Sequence, residues 1–217
     1  MRTKTKEDIL SLLKRNGGHS VNELAASLKL ASVTVRQHLT HLERDGLLVV
    51  AERRSQSSGR PFLVYRLTPK GHAEGFPYRS DRLVELLLRE IGLLTGKDLL
   101  GRSPREKTHL VLQRLAERLA DEYGPLVQGW PLQERVIFVT EVMLTDGGFA
   151  EWEATERGFE IRDFNCLFHR LLDGDSCEWH RGFLSRMLGQ DVRVQPCADA
   201  TNNCCRYVIE PAAVASG

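Results

Sequence analysis

The sequence predicts an α+β chain in three parts: an N-terminal winged helix-turn-helix, a helical dimerisation linker and a small α+β C-terminal sensor domain. Three observations carry that expectation. Capped amphipathic helices fill the first 46 residues and give way to two β-rich runs around an arginine-rich tip. Charge changes sign along the chain: residues 1–79 hold 14 Lys/Arg against 7 Asp/Glu, a net +7, and residues 80–217 hold 16 against 22, a net −6. All five cysteines lie after residue 165. A basic head on an acidic body suits a polyanion-binding module joined to a part with a different task. The boundaries expected are 1–79, 80–145 and 146–217.

Composition narrows the class. The 217 residues are 41% hydrophobic and 27% charged, an ordinary globular balance. The opening MRTKTKEDILSLLKRNGG is basic, but charges interrupt any apolar run that could act as a signal peptide. The richest apolar stretch, RLVELLLREIGLL, is broken by Glu85, Arg89 and Glu90, so no membrane span or membrane partner is expected. These features point to a cytoplasmic protein, where cysteines stay reduced and serve metal binding, catalysis or redox sensing more than structural disulfides.

The first helix is expected over Lys4–Arg15, with Ile9, Leu10, Leu12 and Leu13 on one stripe and Asn16-Gly17-Gly18 ending it. A second begins at SVNEL, where Ser20 and Glu23 have capping-box spacing. After the turn KLAS, a third runs through VTVRQHLTHLERDG, with Val35, Leu39 and Leu42 inward and Gly46 closing it. Its outer face and N-terminal end carry Ser32, Thr34, Arg36, Gln37, Thr40 and His41. A recognition helix meets base edges with such residues: Arg suits guanine, Gln suits adenine and hydroxyls suit phosphate. His38, flanked by core positions, is expected to be partly buried and structural.

Two strands, Leu47–Glu52 and Phe62–Leu67, flank the tip RRSQSSGRP. Arg53, Arg54 and Arg60 stand where a wing meets the phosphate backbone or minor groove, and each phosphate neutralised releases counterions. The strings TVRQHLTHLERDGLL, GRPFLVYRLTPKG and FPY resemble bacterial DeoR/ArsR-type winged-helix repressors. That resemblance implies a double-stranded DNA operator, read as an inverted repeat.

Beyond Ser80, DRLVELLLREIGLL gives a helix with Leu83, Leu86, Leu87, Ile91 and Leu94 on a broad stripe. A long helix follows in REKTHLVLQRLAERLADEYG and another in LQERVIFVTEVMLTDGG. Part of the Ser80–Gly92 surface is expected to pair with a second copy, because helix-turn-helix repressors read two half-sites as dimers. FAEWEA and FEIRDF, joined by TERG, read as a hairpin. SCEWHRGFLSRMLGQ reads as a helix with Trp179, Phe183, Leu184, Met187 and Leu188 buried, and DVRVQP and CRYVIE read as strands.

Cys166, Cys177, Cys197 and Cys205 are spaced C-x10-C-x19-C-x7-C, with Cys204 to spare. Four thiolates suit an iron–sulfur cluster or tetrahedral zinc. Wide spacing without close C-x2–4-C pairs leaves both open, along with buried thiols holding no metal. The pattern FNC, C, QPC and CRYVIEP downstream of this winged helix is similar to the SufR family of cluster-bearing repressors of iron–sulfur cluster assembly operons, over nearly the whole chain. The resemblance implies an iron–sulfur cluster, of the 4Fe–4S type, on Cys166, Cys177, Cys197 and Cys205. It implies a homodimer that represses when the cluster is present and releases DNA when it is lost. The alternative is a winged-helix regulator whose cysteines bind zinc or act as a thiol redox switch, and Cys204, His169 or His180 is the alternative fourth ligand. An enzyme is not expected. There is no Ser/His/Asp arrangement, phosphate loop or nucleotide fingerprint, and a Cys activated by His169 or His180 is the remaining catalytic option.

Overall fold

The computed structural model describes residues 4–53, 62–78, 80–145, 147–166, 177–196 and 204–211. These divide into two compact units, the first ending at Pro77 and the second beginning at Tyr78.

The first unit runs α1 (Lys4–Asn16), α2 (Val21–Leu28), α3 (Ser32–Arg44), β1 (Leu48–Arg53), β2 (Phe62–Leu67) and α4 (Pro69–Gly75). Ile9, Leu10 and Leu13 of α1, Leu24 of α2 and Val35, Leu39 and Leu42 of α3 meet in one core. The Ser20–Glu23 capping box forms: the Ser20 amide donates to Glu23 Oε2 at 2.6 Å and the Glu23 amide to Ser20 Oγ at 3.3 Å. β1 and β2 pair antiparallel from Leu48 opposite Leu67 to Arg53 opposite Phe62. His19 and Tyr65 exchange two backbone hydrogen bonds, at 3.1 and 2.8 Å, adding a one-residue third strand. The short helix α4 adds to the elements expected. Its signal was Thr68-Pro69, where Thr68 Oγ1 accepts from the Gly71 amide at 3.0 Å and proline occupies the first turn. Gly71 is required there, because a Cβ would sit 2.1 Å from the Leu47 carbonyl oxygen.

The second unit runs α5 (Ser80–Gly92), α6 (Gly96–Leu99), α7 (Pro104–Tyr123), a 3-10 turn (Gly124–Val127), α8 (Leu132–Thr145), β3 (Ala150–Thr155), β4 (Gly158–Asp163), α9 (Cys177–Leu188), β5 (Val192–Pro196) and β6 (Cys205–Ile209). The four strands form one antiparallel sheet in the order β3–β4–β6–β5. The expected FAEWEA/FEIRDF hairpin is β3–β4. In α9, Trp179, Phe183, Leu184, Met187 and Leu188 are all buried, as the stripe predicted.

Residues 80–145 and 146–217, set apart in the sequence, share one hydrophobic core. Leu112, Leu115 and Leu119 of α7 and Val136, Val139 and Met143 of α8 pack with α9 and with Ile161, Tyr207 and Ile209 of the sheet. A four-stranded sheet with one helix has too little partner surface to bury its inner face, and α7 and α8 supply it. The α5 stripe differs in two places: Leu83, Leu86 and Leu87 pack on the core, but Ile91 is 51% exposed and Leu94 lies beyond the end of the helix at Gly92. No described helix is long and apolar enough to cross a membrane.

One strained residue marks the turn between α2 and α3. Lys29 adopts φ 54°, ψ 40°, the only positive φ at a non-glycine among the described residues. A side chain in this left-handed region costs about 1 kcal/mol. Lys29→Gly is expected to raise the stability of this unit by about 0.5–1 kcal/mol, and Lys29→Val to lower it. Thermal denaturation followed by circular dichroism checks both signs.

Candidate functional site

Two sites emerge, one in each unit. In the first, Arg36, Gln37, Thr40 and His41 of α3 are exposed, while Ser32 and Thr34 are half-buried. Thr40 Oγ1 donates to the Arg36 carbonyl at 3.0 Å, so its hydroxyl proton is spent within the helix and an acceptor and a methyl remain outward. His38 is half-buried, as its position between core residues required. Val33 was missed by the sequence reading. It is 67% exposed and, at i, i+3, i+4 and i+7, shares a face with Arg36, Gln37 and Thr40. An apolar residue kept in solvent at the start of this helix is the signal that could have found it. Ala31 precedes α3 and no side chain caps the first turn, unlike α2. Arg53 ends β1, its side chain lying outside the described residues with Arg54 and Arg60.

The second site lies at one end of the sheet. The inner face consists of three rungs set by strand register. Phe159, Ile209 and Val192 form the first, Ile161, Tyr207 and Val194 the second, and Asp163 and Cys205 the third. The first two rungs are apolar. The third carries a carboxylate and a thiol, 2% exposed each. Cys166 follows three residues after Asp163 and is 3% exposed; neither Cys166 nor Cys205 forms a disulfide.

From above, α9 directs His180 at this rung. The His180 ring lies against Trp179 at 4.3 Å between centroids, tilted by 32°, and meets Tyr207 edge-on at 5.8 Å. Its Nδ1 lies 3.6 Å from Cys166 Sγ. Asp163, Cys166 and His180 each offer a donor atom within 4.8 Å of the others. The Asn165 amide donates to Asp163 Oδ1 at 2.9 Å, and Asn165 Nδ2 donates to the Gly147 carbonyl at 2.9 Å, which fixes the bend after β4. A cavity of about 70 Å³ adjoins these groups, walled by Leu83 and Leu86 of α5, Met143 of α8 and Phe183 of α9. It has room for a few waters or a small ligand.

Of the expected ligands, Cys166 and Cys205 come to this end of the sheet. The Cys177 side chain and Cys197 lie outside the described residues, as does His169, although Cys177 begins α9 and Pro196, opposite Cys205, directly precedes Cys197. Cys204 is buried and disulfide-bonded rather than free, a departure from the all-reduced expectation. Asp163 was not anticipated as a donor. Alternation in FEIRDF places it on the same face as Phe159 and Ile161, and an aspartate on an apolar face was the available signal.

Residues 2–49 match the family described as winged helix-turn-helix DNA-binding. The first unit is therefore a winged helix-turn-helix DNA-binding domain. Among solved structures, a MarR family transcription regulator is 27% identical, with 56% of this chain and 76% of that chain covered and a TM-score of 0.30. The zinc-responsive MarR family member ZitR of Lactococcus lactis is 19% identical, covering 57% and 77%, with a TM-score of 0.28. The adhesin competence repressor AdcR of Streptococcus pyogenes is 22% identical, covering 54% and 81%, also at 0.28. Likeness of that degree is too slight to carry a ligand or an assembly from those proteins to this one. No curated protein is significantly similar to the chain.

Gly148 borders the cavity, and a Cβ there would lie 2.5 Å from the Met143 carbonyl oxygen. Gly148→Ala is expected to destabilise the second unit by about 1–3 kcal/mol, read as a lower urea midpoint at unchanged slope. Gly92→Ala, with open space around its Cβ, is the neutral control.

Proposed function

We propose that the chain is a homodimeric transcriptional repressor of iron–sulfur cluster assembly genes, and that its second unit senses an iron–sulfur cluster of the 4Fe–4S type. Cys166, Cys177, Cys197 and Cys205 are the residues that would hold it. The observation that carries this reading is the convergence of strand ends: β4 leaves, β6 enters and β5 leaves at one end of the sheet. That topology answers the wide spacing of the cysteines, because four distant segments need a fold to bring them together. Two buried cysteines, Cys166 and Cys205, neither of them in a disulfide, lie at that end. A bound cluster would supply an iron-dependent, oxidant-labile cross-link between those segments.

The chain's own residues would transmit occupancy through α5. The helix begins just after the DNA-binding unit, at Ser80. Its inner residues Leu83 and Leu86 wall the cavity beside Cys166. Its outer residues Val84, Leu88 and Ile91, spaced i, i+4 and i+7, are 50%, 63% and 51% exposed. A continuous apolar stripe on an exposed helix suits a second copy of the same helix. In that dimer each recognition helix would read one half of an inverted repeat with Arg36, Gln37, Thr40, His41, Ser32 and Thr34, and Arg53, Arg54 and Arg60 would meet phosphates. Cluster binding and operator binding would then strengthen each other reciprocally.

The disulfide at Cys204 favours a second reading, a thiol redox switch in the same segment. Iron and acid-labile sulfide per chain, measured on protein purified without oxygen, separate the two. Near-stoichiometric iron with matching sulfide, and operator affinity at fixed salt at least tenfold tighter with the cluster than without, are the expected results. Equal affinity in both forms removes the sensing role and leaves a DNA binder.

The dimer has its own test. Light scattering is expected to give twice the 24.6 kDa chain mass for the unaltered protein and a single chain mass for Leu88→Glu. The substitution should leave the far-ultraviolet circular dichroism unchanged, because Leu88 faces solvent in the single chain.

A further inference from the structure

The cavity edge holds a second kind of chemistry. Asp163, 98% buried, accepts one hydrogen bond, from the Asn165 amide, and pairs with no Lys or Arg among the described residues. A buried carboxylate without a cation carries a large desolvation penalty. Beside it stand a thiol and an imidazole, two groups that join a carboxylate most readily around a divalent metal ion. Their separation fits. Zinc bonds of about 2.3 Å to sulfur and 2.0–2.1 Å to nitrogen at the tetrahedral angle put those two donors about 3.5 Å apart. Cys166 Sγ and His180 Nδ1 are 3.6 Å apart. The whole trio spans at most 4.8 Å, so the carboxylate needs to close by about 1 Å, within reach of a side-chain rotation.

We infer that Asp163, Cys166 and His180 form a mononuclear divalent-metal site of the zinc class, with its fourth tetrahedral position left to a water or one further donor. The elements hold the donors in advance. The Asn165 amide orients Asp163, the Trp179 and Tyr207 rings fix the His180 ring, and β4 carries both Asp163 and the turn to Cys166. The site uses one cysteine, so it does not rest on the four-cysteine reading. Because Cys166 serves only one centre at a time, zinc here and a cluster on Cys166 exclude each other.

Cobalt(II) titration of the reduced, metal-free chain reads the site directly. One equivalent is expected to bind with tetrahedral d–d bands and a thiolate charge-transfer band, and zinc should displace it. His180→Gln and Asp163→Asn should each weaken binding at least tenfold, whereas Cys205→Ser should change it by less than twofold. X-ray absorption at the zinc edge of the unaltered protein needs no variant, and should give one sulfur and the remainder nitrogen or oxygen. Four sulfurs, wild-type affinity in His180→Gln, or no cobalt bound by folded protein would each overturn the site. The cluster reading fails separately, through absent iron and sulfide after anaerobic purification. Iron and sulfide retained in His180→Gln together with lost cobalt affinity would mean that both centres exist and compete for Cys166.

Discussion

The pairing of Asp163 with Cys205 across β4 and β6 is the constraint on which the second unit's chemistry depends. Strand side chains alternate faces, so a slip of one residue would send Asp163 and Cys205 outward and bring Arg162 and Arg206 into the core. The register is held from both faces. Inside, Ile161 opposes Tyr207 and both are fully buried. Outside, Arg206 pairs with the buried Glu160 at 2.5 Å, and that carboxylate raises the Arg206 pKa above the usual guanidinium value. An apolar lock on one face and an ion pair on the other leave the thiol-bearing rung no alternative position.

α5 gains its place in the proposed signalling from a similar two-sided arrangement. Glu90, on its last turn and almost fully buried, pairs with Arg118 of α7, and its hydrogen bond is the main cause of the raised Arg118 pKa. Arg82 at the other end reaches Glu122 of the same helix at 3.0 Å. These contacts clamp α5 along α7 and turn Leu83 and Leu86 toward the cavity, and the 3.6-residue period then leaves Val84, Leu88 and Ile91 outward. A change at the cavity wall therefore acts on the helix that carries the apolar stripe, without a longer chain of intermediates.

What the sequence disclosed follows from the range of the forces involved. The Ser20–Glu23 box, the inward Val35, Leu39 and Leu42, and the α9 stripe are set by neighbours three or four residues away, and period alone reveals them. The union of 80–145 with the C-terminal sheet depends on which apolar faces meet, and hydropathy does not say which. Ile91 illustrates the limit: its spacing matches the inner stripe, yet the end of α5 turns it to solvent. Asp163, and its pairing with His180, escaped for another reason. They are 17 residues apart and act together only because a strand end and a helix start face each other, although each carried a local sign, a polar residue on an otherwise apolar face.

Donor chemistry decides how two metal readings can share one thiol. A cluster draws on soft thiolates from four segments, whereas the Asp163–Cys166–His180 trio mixes hard, borderline and soft donors and suits a single borderline ion. The trio is drawn from two elements, the end of β4 and the start of α9, both packed in the core. The four-cysteine set also requires Cys177 and Cys197. The smaller site therefore asks less ordering of the chain, and the larger one binds more segments together when filled. A protein built this way would answer to the supply of clusters against the supply of single ions, with Cys166 as the group for which they compete.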